Sequence, residues 1–115
     1  MMFDIDYCKE AGGDVPAKEF IDGLRPKMKA KVLGRLALLE EYGPRLPMPF
    51  ARPLKDGIYE LRTPQGSDIT RMLYFFVIGE RVIVTHGFVK KSQKTPKREI
   101  ERALRMREEW KSQNE

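Results

Sequence analysis

The amino-acid sequence predicts an α+β domain with the element order β-α-α-β-β-β-α, built on a four-stranded antiparallel sheet. Apolar residues recur at helical spacing between 16 and 42 and again between 96 and 111, whereas they alternate or run together in short segments between 57 and 88. Two helices are expected on one face of the sheet, and a C-terminal helix at the edge of a second, partly open face. A length of 115 residues suits one domain over residues 1–115.

The first half of the chain predicts one strand and two helices. Apolar and acidic residues alternate from Phe3 to Tyr7, which indicates a strand with one buried face. A short amphipathic helix follows, and then a longer helix that ends at Tyr42-Gly43-Pro44. Prolines are so dense between 43 and 53 that this segment is expected to be an extended connection.

The second half predicts three strands and a helix. Strands are expected at Gly57–Arg62, Thr70–Ile78 and Arg81–Phe88, because β-branched and aromatic residues are separated there by turn residues. The middle strand is apolar on both faces, so it is expected to be the central one. Thr95-Pro96 predicts the start of the final helix, which extends to about residue 111.

The net charge of +5 is unevenly distributed along the chain. Residues 90–111 hold nine basic and four acidic residues, whereas residues 1–24 hold two basic and six acidic residues. A basic end of this kind favours a polyanionic partner, although an acidic protein would satisfy the same field.

Composition narrows the class of protein further. The hydrophobic fraction of 41% is typical of a globular chain, no apolar run approaches the ~20 residues of a membrane helix, and no secretory signal pattern is visible. Cys8 is the single cysteine and cannot form an internal disulfide, and a single histidine excludes a His-rich metal site. A cytoplasmic protein without a membrane segment, metal or cofactor is therefore expected.

Hydrogen-bond donors and cations collect on the predicted strands and on the loop that follows the last strand. The loop around Lys90–Lys94 lies between a strand and a helix, which is a common arrangement for a phosphate-binding site. The candidate catalytic residues are Arg62, Arg71, Tyr74, His86, Lys90, Lys91 and Lys94.

These residue types suit the cleavage of RNA. The 2′-hydroxyl attacks the adjacent phosphorus, a base removes its proton, an acid protonates the leaving 5′-oxygen, and cations stabilise the pentacoordinate state. Arginine binds phosphate in a bidentate manner, and a lysine among other cations gives up its proton more readily.

Each candidate also has a structural alternative. Arg62 and Arg71 can be solvated charges at strand ends. His86 can be a hydrogen-bonded sheet residue that supports the loop, and Tyr74 can be a core residue.

Three segments carry a resemblance to a known family: Pro53–Arg62 (PLKDGIYELR), Arg71–Phe76 (RMLYFF) and His86–Pro96 (HGFVKKSQKTP). Together they resemble the phage-derived Gp49-like, HigB-type branch of the RelE/ParE toxin superfamily. The resemblance covers about residues 3–110, and the third segment is its most specific part.

The resemblance implies a RelE-like fold and the toxin half of a type II toxin–antitoxin pair. Toxins of this kind are typically ribosome-dependent endoribonucleases that cut mRNA without a metal and arrest translation. The implied partner is a HigA-like helix-turn-helix antitoxin in a toxin–antitoxin hetero-oligomer. Arg62 and Arg71 look like the strand arginines that hold phosphate, and the three lysines look like the family's basic cluster.

The remaining cations near this segment are expected to contact RNA: Lys55, Lys97, Arg98 and Arg102. The nuclease hypothesis predicts that Arg62, Arg71 and the three lysines converge on one open, water-filled groove. Inhibition of gyrase, as by ParE-like members, and non-catalytic binding of nucleic acid or a partner stay open as alternatives.

Overall fold

The computed structural model describes residues 2–114 and contains one α+β sheet domain. Its strands and α-helices, in chain order, are β1 (Asp4–Tyr7), α1 (Pro16–Asp22), α2 (Pro26–Tyr42), β2 (Ala51–Pro53), β3 (Tyr59–Gln65), β4 (Asp68–Val77), β5 (Arg81–Lys90) and α3 (Lys97–Asn114). The prediction of three consecutive sheet strands after two helices is confirmed, and so is the final helix, which begins within a residue of the predicted start.

The sheet has five strands in the order β1-β5-β4-β3-β2 and is mixed rather than antiparallel. β4 is the central strand, as predicted, and its neighbours β3 and β5 are antiparallel to it. β1 pairs in parallel with β5, from Asp4 opposite Arg81 to Tyr7 opposite Val84. The prediction of four antiparallel strands was therefore wrong, because alternation reports which face of a strand is buried but not the direction of its partner.

The fifth strand lies inside the proline-rich connection. After a short 3₁₀ helix at Gly43–Arg45, Ala51–Pro53 forms an edge strand beside β3. Proline is tolerated at this position because an edge strand has one side that needs no ladder hydrogen bond. The prediction of an extended connection over 43–53 holds at Ala51–Pro53, which belongs to the sheet, but not at the 3₁₀ helix or at the turn over 48–50.

Helices α1 and α2 cover one face of the sheet, which we call the α1/α2 face. Their apolar stripes pack on alternate residues of the strands, and fully buried members of this core are Ala17, Val32, Leu39, Leu61, Met72, Val82 and Val84. This arrangement confirms the prediction of two helices on one face.

Helix α3 packs on the opposite face, which we call the α3 face. Ala103, Met106 and Trp110 contact a core that includes Leu73 and Phe75 of β4. The expectation of a partly open second face with the helix at its edge was wrong over this part of the sheet. The small side chain of Ala103 is fully buried, which allows the helix to lie close to the strands.

A β-bulge determines which side chains of β5 share the α3 face. The pairing of β4 with β5 shifts between Leu73 and Tyr74, so that Leu73 lies opposite His86 and Tyr74 lies opposite Val84. Thr85 is the additional residue, and its hydroxyl donates to the carbonyl of Leu73 at 3.2 Å. Because one residue is inserted, Ile83 and His86 both point to the α3 face.

Within residues 2–114, no helix is both long and apolar enough to cross a membrane.

Candidate anion site

Four charged residues lie side by side on the α3 face, where strands β2, β3 and β4 meet. Arg52 is directly opposite Glu60, and Arg62 is directly opposite Arg71. Glu60 and Arg62 are two residues apart on β3, so the period of a strand places them on one face. The two pairs therefore form a compact group, which we call the arginine cluster.

Glu60 is the centre of the arginine cluster. Its carboxylate is fully buried, with Oε2 3.1 Å from Arg52 Nε and 3.5 Å from Arg62 Nε. The other oxygen, Oε1, lies 3.6 Å from Arg71 Nε and accepts a hydrogen bond from the hydroxyl of Thr95. Three guanidinium groups thus share one carboxylate, which leaves the cluster two positive charges in excess.

The loop between β5 and α3 covers the arginine cluster. Arg71 Nη2 donates to the main-chain carbonyl of Ser92. Arg62 Nη2 donates to the side-chain oxygen of Gln93 at 3.0 Å, and Arg52 Nη2 donates to the main-chain carbonyl of Gln93 at 3.2 Å. The loop is therefore fixed over the cluster by oxygen atoms of its own backbone and of one amide side chain.

Arg71 is fully buried yet does not use all of its donors. Within the described part of the chain, no hydrogen-bond partner reaches Arg71 Nε, Arg71 Nη1 or Arg62 Nε. Burial lowers the pKa of Arg71, and Glu60 opposes that change. The two Nε atoms face the carboxylate of Glu60, so Arg71 Nη1 is the one of these three donors that is left to receive an anion.

The prediction of an open, water-filled groove was wrong for the two arginines. Arg71 is 0% exposed and the Arg62 side chain is 14% exposed, because β3 and β4 place both side chains beneath the loop. Sequence spacing brings the arginines together on one face, but it does not show that the following loop folds back over them.

His86 lies on the same face as the arginine cluster, one strand beyond Leu73. Its Nε2 is 3.0 Å from Glu99 Oε1 and its Nδ1 is 3.0 Å from the hydroxyl of Thr85. Because a carboxylate only accepts hydrogen bonds, the neutral ring carries its proton on Nε2 and donates it to Glu99. Nδ1 is then an acceptor, and it shares the single proton of the Thr85 hydroxyl with the carbonyl of Leu73. Burial lowers the pKa of His86, so the ring is neutral near pH 7 and connects β5 to the first turn of α3.

Tyr74 is not part of the arginine cluster. Its side chain lies in the core of the α1/α2 face, stacked on Tyr59 with ring centroids 5.6 Å apart. Burial raises the pKa of Tyr74, so its hydroxyl stays protonated. The assignment of Tyr74 to the catalytic group is therefore not supported, since strand alternation places it on the face opposite Arg71.

The lysines of the loop flank Ser92 and Gln93, the two residues that contact the arginines. Lys91 and Lys94 are exposed and Lys90 is half-buried. Lys94 also lines a cleft of about 280 Å³ at the start of α3, together with Lys55, Lys97 and Thr95. Thr95 joins this cleft to the cluster, because its hydroxyl is bonded to Glu60.

The two remaining predicted RNA contacts lie on α3. Arg98 is exposed and approaches Glu99 at 3.9 Å. Arg102 lines a separate cavity of about 390 Å³ that also contains His86, Glu10 and Glu19. The first of these side chains is free to meet a ligand near the loop, whereas the second faces the acidic N-terminal part of the chain.

Sequence reasoning missed five residues of the site: Arg52, Glu60, Gln93, Thr95 and Glu99. Glu60 had a local signal, because an acid two residues before Arg62 on a strand must share its face. No local signal pointed to Arg52, since its strand lies in the proline-rich segment. Gln93 contacts Arg52 and Arg62 only because the loop folds back over the sheet, which the sequence pattern does not show.

Neither a metal site nor an activated cysteine is present among the described residues. Among the side chains that the structure describes, no three of His, Cys, Asp or Glu lie together as metal ligands would. Cys8 is buried, and burial raises its pKa to about 12, so the thiol is not an activated nucleophile.

Comparison with known proteins places the chain in a family. The model of the family described as "Phage derived protein Gp49-like (DUF891)" matches residues 19–108, which include the arginine cluster, the loop and most of α3. No curated protein matches the chain. β1 lies outside the matched range, although it completes the sheet. The match covers most of the chain, and the protein therefore belongs to the phage-derived Gp49-like family, which is of the RelE/HigB toxin type.

Proposed function

We propose that this protein is the toxin of a type II toxin–antitoxin pair and that it cleaves mRNA, on the ribosome, as an endoribonuclease. Membership of the Gp49-like family is consistent with a toxin that has an antitoxin partner. The observation that supports the nuclease is the arginine cluster, where Arg52, Arg62 and Arg71 surround one buried carboxylate and retain unused donors.

The proposed reaction uses side chains of the chain itself. The RNA 2′-hydroxyl attacks the neighbouring phosphorus, and the 5′-oxygen leaves with a 2′,3′-cyclic phosphate as the other product. Arg62 and Arg71 stabilise the additional negative charge on the phosphorus oxygens, because guanidinium groups donate two parallel hydrogen bonds to such an anion. This route requires no metal ion.

The loop lysines are the proposed proton carriers and RNA contacts. Lys91 and Lys94 are exposed on the loop that covers the arginine cluster, and a 2′-hydroxyl or a leaving oxygen is proposed to meet them there. Lys55 and Lys97, at the cleft that begins at Lys94, extend the path for the RNA backbone. A requirement for the 2′-hydroxyl makes the reaction specific for RNA.

The antitoxin is proposed to be a HigA-like helix-turn-helix protein that forms a hetero-oligomer with this chain. The basic segment after β5 and the acidic N-terminal segment present fields of opposite sign, and a bound protein can complement either.

Expression without antitoxin, followed by mapping of mRNA 5′ ends, tests the proposed function. We expect new ends inside translated messages with the native chain, and loss of these ends and of growth arrest with Arg71→Ala. Arg71 is fully buried, so its replacement can affect the fold as well as the chemistry. Arg62→Lys is therefore tested beside it, since this variant keeps the charge and removes the bidentate donor geometry. Arg105→Ala, at an exposed position on α3, is the matched control and should behave like the native chain.

The result that contradicts the proposal is equally clear. A folded Arg71→Ala protein with full toxicity removes the arginine cluster from the mechanism. Growth arrest with intact mRNA would favour inhibition of a topoisomerase, and unimpaired growth would favour a family member that only binds.

A further inference from the structure

The three arginines of the cluster all donate hydrogen bonds to one short segment of the loop between β5 and α3. Ser92–Thr95, which we call the strap, presents the carbonyl of Ser92 to Arg71 and both oxygens of Gln93 to Arg62 and Arg52. The arrangement of three oxygens facing three guanidinium groups is the one that a phosphate would require.

The strap satisfies hydrogen bonds of the cluster but not its charge. The carbonyl and amide oxygens of the strap are neutral, and the only carboxylate within the cluster is that of Glu60. The bonds from the arginines to the strap are charge-assisted on the donor side only, whereas a phosphate oxygen adds the Coulomb attraction between opposite charges in a site sheltered from water. A phosphodiester oxygen is therefore a better acceptor for Arg62 and Arg71 than the oxygens that the strap provides.

The two ends of the strap are held differently. Thr95 is buried, with its hydroxyl donating to Glu60, so the C-terminal end is fixed to the cluster itself. Ser92 and Gln93 are exposed, and their contacts with the arginines are their described links to the sheet. The N-terminal part of the strap can therefore move outward while Thr95 stays in place.

We propose that the strap fills the phosphate site of the ligand-free protein and that a phosphate of the substrate displaces Ser92 and Gln93 from the arginines. Gln93 then sets how easily the site opens, because its side chain holds Arg62 without being needed for the fold. The inference rests on the proposed function only for the identity of the anion as an RNA phosphate. With a strap of this kind, the apparent affinity equals the intrinsic affinity multiplied by the fraction of molecules in which the site is open.

The opposite possibility is that the strap closes on bound RNA and contributes contacts to it. The two arrangements differ in kinetics. Removal of a strap that must open first accelerates association, whereas removal of a strap that holds the ligand accelerates dissociation.

The experiment measures association and dissociation of a fluorescein-labelled, 2′-O-methyl single-stranded oligoribonucleotide, which can be bound but not cleaved. The native chain is compared with Gln93→Ala and with Gln113→Ala, a matched change at an exposed position of α3. We expect Gln93→Ala to bind about three- to tenfold more tightly, through faster association, since it loses one charge-assisted hydrogen bond to Arg62. Gln113→Ala should match the native chain.

Unchanged affinity of the Gln93→Ala protein overturns the inference, as does weaker binding through faster dissociation. These failures are distinct from failure of the proposed function. Tighter binding by Gln93→Ala together with no cleavage of mRNA in cells supports the strap and removes the nuclease. Cleavage that depends on Arg71, with equal binding by the native and Gln93→Ala proteins, supports the nuclease and removes the strap.

Discussion

Glu60 is the residue on which the geometry of the arginine cluster depends. Like charges directly opposite each other on neighbouring strands repel, as Arg62 and Arg71 do here. The buried carboxylate offsets this repulsion and orients all three guanidinium groups. A residue with no proposed part in the chemistry therefore determines the positions of the residues that have one.

The substitution Glu60→Gln should destabilise the fold by about 3–5 kcal/mol, because it leaves buried cations without their counter-charge. The measurement is the free energy of unfolding in urea. Glu108→Gln, at an exposed position of α3, is the control and should have almost no effect. An unchanged unfolding midpoint for Glu60→Gln would show that the arginines are compensated by another group.

At this scale the sequence was sufficient for part of the site. Arg62 and Arg71 were expected to converge and do lie together, whereas the part of the loop lysines in this site stays a prediction. Tyr74 was proposed either as a catalytic or as a core residue, and the core alternative agrees with the structure, since alternation along β4 puts Tyr74 and Arg71 on opposite faces. Arg52 and Gln93 depend on contacts between distant segments, which no local pattern contains.

The elements themselves followed closely from local patterns, whereas their arrangement did not. Helical spacing and β-branched alternation gave the helices and the three long strands. The parallel pairing of β1 and the extra residue Thr85 in β5 are properties of pairing. Such properties depend on the partner strand and cannot be read from one strand alone. The bulge also changes the face of the sheet on which His86 lies.

Helix α1 packs against β5 at Gly87. A Cβ atom at Gly87 would lie 2.5 Å from the ring of Phe20 and 2.5 Å from the sulfur of Met72, so α1 can approach only where no side chain stands. We expect Gly87→Ala to lower stability by about 1–3 kcal/mol through overpacking. Thermal unfolding measures this change.

Gly34→Ala is the control for that experiment. Nothing lies within 4 Å of a Cβ atom at Gly34, which is in the middle of α2, so alanine there should raise stability by about 0.5–1 kcal/mol. A Gly87→Ala protein as stable as the native chain would mean that the packing of α1 on β5 has space for an additional methyl group.

At the scale of the molecule, charge is separated along the chain. The excess of basic over acidic residues in 90–111 equals the net charge of +5. The fold brings Lys94 and Lys97 of this segment together with Lys55 in one cleft, which Thr95 joins to the arginine cluster. This cleft is where we expect the predicted polyanionic partner to bind.

RNA affinity should therefore decrease steeply as salt is raised, because each phosphate contact releases counterions. The measurement is the slope of log affinity against log salt concentration for the 2′-O-methyl oligonucleotide. Replacing Lys55 or Lys97 with alanine should each reduce this slope by about 1. Affinity that is independent of salt would exclude binding through the phosphate backbone.

The parallel pairing of β1 with β5 also has a consequence for the order in which the protein can be made. β1 precedes its partner β5 by four strands in chain order, and the strap and α3 follow later still. Contacts between such distant segments form late in folding. The arginines, by contrast, come from β2, β3 and β4, which are consecutive in the chain and pair with one another. We therefore expect the arginine cluster to assemble before β1 is paired, and the strap to cover it afterwards.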